Sequence, residues 1–265
     1  MAQKMRAPYV PKPITENVNV TRESPLKRFF ILSAEIVFAV VVAYVFLGLV
    51  AGLLAPRVPV SLEKKMGEVF DGGWEEGSLP TESARLQSLL NKLVPGLPAE
   101  DRRLSYRAWV VENEQVNALA LPGGRIVVFS GLVNEVARDA ELSFVLAHEL
   151  GHFHARDHLR ALGRGLVAMV FAVAVSGSDG SARFVMQGVG NAENRFSQAQ
   201  ERAADLFSVR LLRRSLGTTD GATEAMRRLA EDERAGKLAY YFATHPHPET
   251  RLKYIREEID RLKSS

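Results

Sequence analysis

The sequence has no cysteine, and that absence excludes a disulfide framework, thiolate metal sites, a cysteine nucleophile and lipid attachment through an N-terminal cysteine. The body of the chain also lacks a surplus of basic charge. Of a net charge of +3, residues 1–28 alone carry +4, from Lys4, Arg6, Lys12, Arg22, Lys27 and Arg28 against Glu16 and Glu23, which leaves −1 for the remainder. No basic stripe is left to follow a phosphate backbone, so nucleic acid is excluded as a partner. Internal repeats are missing, and the one low-complexity patch is SGSDGS at 176–181, which reads as a loop. What is present is apolar material: 46% of the 265 residues are hydrophobic and 25% charged, enough for a substantial core and too much for wholesale disorder.

Between Phe29 and Leu54 the chain runs FFILSAEIVFAVVVAYVFLGLVAGLL, and residues 36–55 carry no charge. As a helix this uncharged run would span about 30 Å, the thickness of a bilayer's hydrocarbon core. A helix buried in a soluble protein would show a polar stripe, and Glu35 is the only strongly polar residue inside the run. The basic region and the apolar run are both too long for a cleaved signal, and Pro56 follows Ala55, the only candidate cleavage residue. Residues 29–55 are therefore expected to be an uncleaved single-pass anchor in contact with the lipid bilayer. Gly48 and Gly52 form a GxxxG pair, the spacing at which helices of two copies approach closely in a homodimer. The basic arm before the anchor, set against Arg57, Lys64 and Lys65 among acids after it, predicts a cytoplasmic N-terminus and a domain outside the cytoplasm, periplasmic if the membrane is a Gram-negative inner membrane.

The expected division is a basic arm at 1–28, an anchor at 29–55, a linker or collar at 56–80 and a single domain at 81–265. Residues 81–94 predict an amphipathic helix with Leu86, Leu89, Leu90 and Leu93 on one face. Strands are expected at 106–111 and 125–129, with LPGG at 121–124 turning the chain after 117–120. From Gly131 onward the pattern is helical. The apolar run at 166–175 is too short to cross a bilayer and reads as a buried or membrane-grazing helix, while 177–197 reads as a lid or a slack connector.

The chemistry is carried by His148-Glu149-Leu150-Gly151-His152, which continues the helical apolar pattern of 140–147. Two histidines four apart lie about 40° from each other around a helix and about 6 Å along it, so both can reach one metal ion at roughly 2.0–2.1 Å. Glu149 stands beside them, where it can take a proton from the attacking water and pass it to a leaving amine. A catalytic zinc takes three protein ligands and keeps one open position. Downstream, Ser197 and Gln200 form a capping-box signature opening a helix that carries Glu201 and Asp205, four apart. Glu201 can complete the site and Asp205 can accept the outward N–H of a ligand histidine; the alternative is that both make surface pairs with Arg202 or Arg195. His158 is a rival third ligand, because it follows His152 at the spacing of the pattern H-E-x-x-H-x-x-G-x-x-H. Ala155 stands where that pattern has glycine, and a helix continuing through it would carry His158 roughly 9 Å further along, out of reach. His154 reads as a surface histidine.

With the Asn117-Ala118 strand, Leu121-Pro122-Gly123-Gly124 and the late Thr244-His245-Pro246 with Arg251, these residues resemble the gluzincin metallopeptidases of the CAAX-prenyl-protease and HtpX group, in a small, single-anchor form. The resemblance implies one Zn2+ per chain bound by His148, His152 and Glu201, with Glu149 as general base and Asp205 supporting His148. It implies that an extended substrate pairs with the strand at Asn117 and Ala118. It also implies His245, ahead of His247, as donor to the oxyanion, with Arg251 assisting or pairing with an acid. The fold class expected is α+β and mainly helical, a zincin-like domain with a small edge sheet after one transmembrane helix. The function expected is membrane-anchored zinc endoproteolysis of unfolded or misassembled polypeptides in protein quality control. The contrasting reading is a membrane-anchored chaperone or scaffold that keeps the protease fold without the activity.

Overall fold

The computed structural model describes residues 24–75, 77–136, 138–165, 196–234, 245 and 248–264. The basic arm up to 23, the apolar run at 166–175, nearly all of the segment at 177–197, and His247 lie outside the described residues. The fold is α+β and mainly helical, as the sequence pattern implied.

Helix α1, Pro25–Leu54, opens with proline at its first turn and ends just before Pro56, the two places where a helix accepts proline. It has no buried residue and is long and apolar enough to cross a membrane. The Gly48 and Gly52 positions face open space, with nothing within 4 Å of where a Cβ would stand.

Residues 56–80, expected as a linker or collar, hold a helix of their own, α2, Val60–Glu75. Its Trp74 packs against Trp109, Val111, Leu121, Val127 and Phe129 on one face of the sheet, so α2 is part of the folded body. Helix α3, Pro80–Leu93, buries Leu86, Leu89, Leu90 and Leu93, the face that their spacing predicts. Truncating a leucine of that kind to alanine typically removes about 2–5 kcal/mol.

The sheet comprises β1 Arg107–Val111, β2 Ala118–Leu121 and β3 Arg125–Phe129, in the order β1-β3-β2. β3 is central and buried throughout; it runs parallel to β1 and antiparallel to β2. The tight β2–β3 turn places Gly123 and Gly124 at φ of +78° and +85°, a region that residues with a Cβ resist. The two outer edges are treated differently. On β1, Gln87 of α3 accepts the Ala108 N–H at 2.8 Å and donates to the Tyr106 carbonyl at 3.3 Å. Ser83 accepts the Val110 N–H at 2.9 Å, and the Leu79 N–H donates to the Val110 carbonyl at 2.7 Å. Side chains of α3 and the backbone at Ser78 and Leu79, where Ser78 bridges Val111, thus occupy the place of a neighbouring strand. On β2 the outward Ala118 N–H is held, among the described residues, by its neighbour, the Asn117 side-chain oxygen, at 2.9 Å.

Helix α4, Ser130–Glu135, leads into α5, Asp139–His154, which is buried continuously from Glu141 to Phe153. After a turn at Ala155 and Arg156 the chain is helical again over 157–165, here α6. Helix α7, Gln198–Leu216, crosses α5; helices α8, Ala222–Arg234, and α9, Pro248–Lys263, complete the core with Ala225, Met226, Leu229, Ile255 and Ile259.

Glu63 of α2 is 1% exposed. It accepts from Arg156 and lies 2.8 Å from His158 Nε2. Burial pushes its carboxyl up, but the hydrogen bonds and charges of His158 and Arg156 outweigh burial and hold it below its ordinary value. A carboxylate whose folded pKa is depressed stabilises the fold above the unfolded value, and that contribution fades as pH falls through the folded value. Glu63→Gln should be less stable than the parent at neutral pH, with the gap closing as pH drops below about 4.5. Unfolding in detergent micelles between pH 7 and 3 measures it; a gap that stays constant would remove the carboxylate's charge as its cause.

Candidate metal centre

α5 supplies His148, Glu149 and His152, all within its buried stretch. The two imidazoles turn toward each other, with Nε2 atoms 3.1 Å apart. α7 supplies Glu201 from its first turn. The capping box forms: Ser197 accepts the Gln200 N–H at 3.3 Å, and the Gln200 side chain accepts the Ser197 N–H at 2.9 Å. Gly151 lets the two helices meet, because a Cβ there would stand 2.8 Å from Ala204 Cα. Glu201 Oε1 then lies 3.4 Å from His152 Nε2, and Oε2 lies 3.6 Å from His148 Nε2.

His245 joins this group, its Nδ1 at 3.0 Å from Glu201 Oε1 and 3.4 Å from His148 Nε2. The donor atoms of His148, His152, Glu201 and His245 all lie within 4.8 Å of one another. Their chemistry and spacing fit zinc: a tetrahedral ion with bonds of about 2.05 Å sets its ligand atoms about 3.3 Å apart. Glu149 Oε1 is buried beside them without a hydrogen-bond partner among the described residues, the condition of a group whose partner is a ligand or a water.

Around the donors the carboxylates are held ionised. Asp205 Oδ1 lies 2.9 Å from His148 Nδ1. The same carboxylate takes two hydrogen bonds from Arg251, each 2.8 Å, and a third from the Tyr254 hydroxyl at 2.8 Å. Burial pushes Asp205 up, but the Arg251 guanidinium and His148 bring it down to about 2. Arg251 also reaches Glu201 Oε2 at 2.6 Å. Burial opposes the charge on Glu201 as well, and Arg251, His245 and His148 together hold it well below the carboxylate range. The histidines diverge. Burial drives His148 down, whereas for His152 burial is overcome by Asp157 and Glu201, which raise it to about 10.

The predicted residues are thus placed as follows. His148, His152 and Glu201 come together, with Glu149 beside them and Asp205 behind His148. Glu201 and Asp205 are buried, and Arg202 lies over the Tyr254 ring, 5.4 Å from its centroid, rather than pairing with them; Arg195, the other partner considered, lies outside the described residues. Arg251 pairs with both acids. His245, expected as the oxyanion donor, sits within the cluster of His148, His152 and Glu201. Ala118 opens β2, an edge strand among the described residues, and Asn117 just before it accepts the Phe129 N–H at 3.0 Å on its carbonyl; both residues are buried. The helix does not run on through Ala155: α5 ends at His154, and Arg156 turns the chain with φ +57°. His158 nonetheless points away from the metal donors, to Glu63. His154 bonds Asp101 at 2.7 Å.

Asp157, Phe196 and Tyr254, whose hydroxyl bonds Asp205, were not foreseen. Asp157 Oδ2 lies 3.1 Å from His152 Nδ1, and Phe196 stacks on the His152 ring at 3.9 Å between centroids. An aspartate five residues past a histidine, across a turn, carries no spacing signal. Phe196 borders the capping box, which was its only marker.

The profile of peptidase family M48 matches residues 80–259, more than half of the chain. A beta-barrel assembly-enhancing protease of Yersinia pestis is 29% identical over 69% of this chain and 40% of its own length. The metalloprotease LoiP of Escherichia coli is 30% identical over 66% of this chain and 69% of its own length. The mitochondrial metalloendopeptidase OMA1 of Arabidopsis thaliana is 30% identical over 58% of this chain and 32% of its own length. The chain thus spans well under half of two of these relatives and about two thirds of the third. A profile match of this extent, with histidine and glutamate donors gathered inside it, means that the chain belongs to peptidase family M48, whose cofactor is zinc.

Proposed function

We propose that the chain is a membrane-anchored zinc metalloendopeptidase that cleaves extended or unfolded polypeptides. The observation that carries this is the meeting of donors spaced for zinc with a buried, unpartnered carboxylate oxygen on Glu149. His148, His152 and Glu201 hold the metal. Zinc, when bound, acidifies water and polarises a carbonyl oxygen.

Glu149 takes the proton released as water attacks the peptide carbon, then delivers it to the departing amine nitrogen. Asp205 accepts the Nδ1–H of His148 and keeps its Nε2 lone pair toward the metal. Arg251 keeps Asp205 and Glu201 charged in a dry site. A catalytic zinc would take three protein ligands and leave one position to substrate; His245, beside Glu201 and His148, would donate an N–H to the developing oxyanion. The substrate lies along β2. Its backbone pairs with the outward groups of Ala118 and Ala120 by strand addition, displacing the Asn117 side chain from the Ala118 N–H. β1 is closed to such pairing by Gln87 and Ser83. A site that reads backbone in this way takes any locally extended chain, which suits quality control of misassembled proteins. We place the arm at 1–28 and the anchor at 29–55, and count the collar helix α2 with the peptidase body.

Glu149→Gln should keep about one zinc per chain and lose casein cleavage by about 10²–10⁴-fold, whereas Glu201→Ala should lose tightly bound zinc along with activity. Metal analysis beside a cleavage assay decides; equal cleavage by Glu149→Gln and the parent would remove the general base, and a zinc-loaded parent that cleaves nothing would favour a scaffold. The basic arm supports a peptidase domain outside the cytoplasm. In spheroplasts of a Gram-negative host, external protease should digest the domain without lysis. Protection until the membrane is broken would reverse the topology.

A further inference from the structure

Arg156 is the one non-glycine among the described residues with positive φ, +57°, a conformation that a Cβ disfavours. It sits in the turn between α5 and α6, so something must hold the turn. Glu63 does: its carboxylate takes Arg156 on one oxygen and faces His158 Nε2 at 2.8 Å on the other. These are the residues on either side of Asp157.

Asp157 is 1% exposed and serves two helices. Oδ2 meets His152 Nδ1 at 3.1 Å, while Oδ1 accepts from Gln200 Nε2 at 2.6 Å and from Arg160 Nη1 at 2.9 Å. Gln200 is the capping-box residue of α7, directly before Glu201. One carboxylate therefore steadies His152 of α5 and the first turn of the helix that carries Glu201.

We propose that Glu63, in the helix following the membrane anchor, is a positioning residue for the zinc site: by clamping Arg156 and His158 it holds a strained turn, and the turn presents Asp157 to His152 and Gln200. This rests on His152 being a zinc ligand, as proposed above. With Asp157 accepting the Nδ1–H, the His152 Nε2 lone pair is committed to the metal, and partners of this kind typically account for about 10–100-fold in metal affinity. The collar helix thus acts on the metal site without touching it.

The test uses the full chain in detergent micelles, measuring zinc affinity by competition with a chromophoric chelator and the visible absorption spectrum of the cobalt-substituted protein. Asp157→Asn and Glu63→Gln should each weaken zinc by about 10–100-fold and alter the cobalt bands, which a general loss of stability would not do. Adding Arg156→Gly to Glu63→Gln should restore most of the affinity, because glycine takes positive φ without a clamp. Parent-like zinc affinity in Glu63→Gln, or a double variant no better than Glu63→Gln alone, would overturn the proposal. Asp157→Asn keeps the size and one accepting oxygen of the aspartate, so it remains readable if Glu63→Gln fails to fold; parent-like zinc affinity there would also overturn it. His152→Ala separates the two readings. If it binds zinc as the parent does, the metal site itself is wrong; if it loses zinc while Glu63→Gln and Asp157→Asn keep it, only the positioning role fails.

Discussion

The site depends on how closely α5 and α7 cross. Helices usually pack with axes about 8–10 Å apart, and the lower end of that range is open only where small side chains meet. Gly151, between the two histidines' turns, faces Ala204, which lies between Glu201 and Asp205 in the sequence, at a separation that leaves no room for a Cβ. Because of this contact, two carboxylates one turn apart on α7 reach two imidazoles one turn apart on α5. Glu201 meets the Nε2 nitrogens of both histidines and Asp205 the Nδ1 side of His148. A metal–ligand bond tolerates only a few tenths of an ångström, so the crossing sets the geometry that zinc requires.

Such a crossing buries charge. Glu201, Asp205 and Asp157 all lose their water, and a lone buried carboxylate would take up a proton. Arg251 prevents this for two of them at once by bridging Asp205 and Glu201; His152, then Gln200 and Arg160, do it for Asp157. Breaking a buried pair of this kind typically removes about 3–5 kcal/mol, because the partner is left charged and unpaired. The groups that pair the buried charges are therefore the same ones that fix the histidine and glutamate donors in place.

The sheet contributes an asymmetry of edges. β1 is closed by Gln87 and Ser83, whose amide and hydroxyl copy the hydrogen bonds of a missing strand. At β2 one side-chain oxygen covers one outward N–H. An open edge invites association with any extended chain, and in the proposed function that liability becomes the means of holding substrate.

Much of this was legible in the amino-acid order. The long apolar helix α1, the leucine face of α3, the strands, the His148 and His152 pair, the capping box and the Glu201 and Asp205 pair all follow from rules that act within one or two turns: periodicity, capping and the reach of side chains four apart. What was not legible depends on segments far apart in the chain. Glu63 and His158 are 95 residues apart, and in the sequence Glu63 looks like any glutamate on a charged helix. Asp157 became a partner of His152 because Arg156 accepted a left-handed backbone, and no local preference of arginine calls for that. His245, 44 residues from Glu201, was recognised by type but not by position. The sequence by itself determined which groups can bind a metal and which helices carry them, because those are properties of short stretches. Tertiary structure alone decided which carboxylate supports which histidine, because that depends on which buried charges packing brings within 3 Å, where the loss of water makes pairing compulsory.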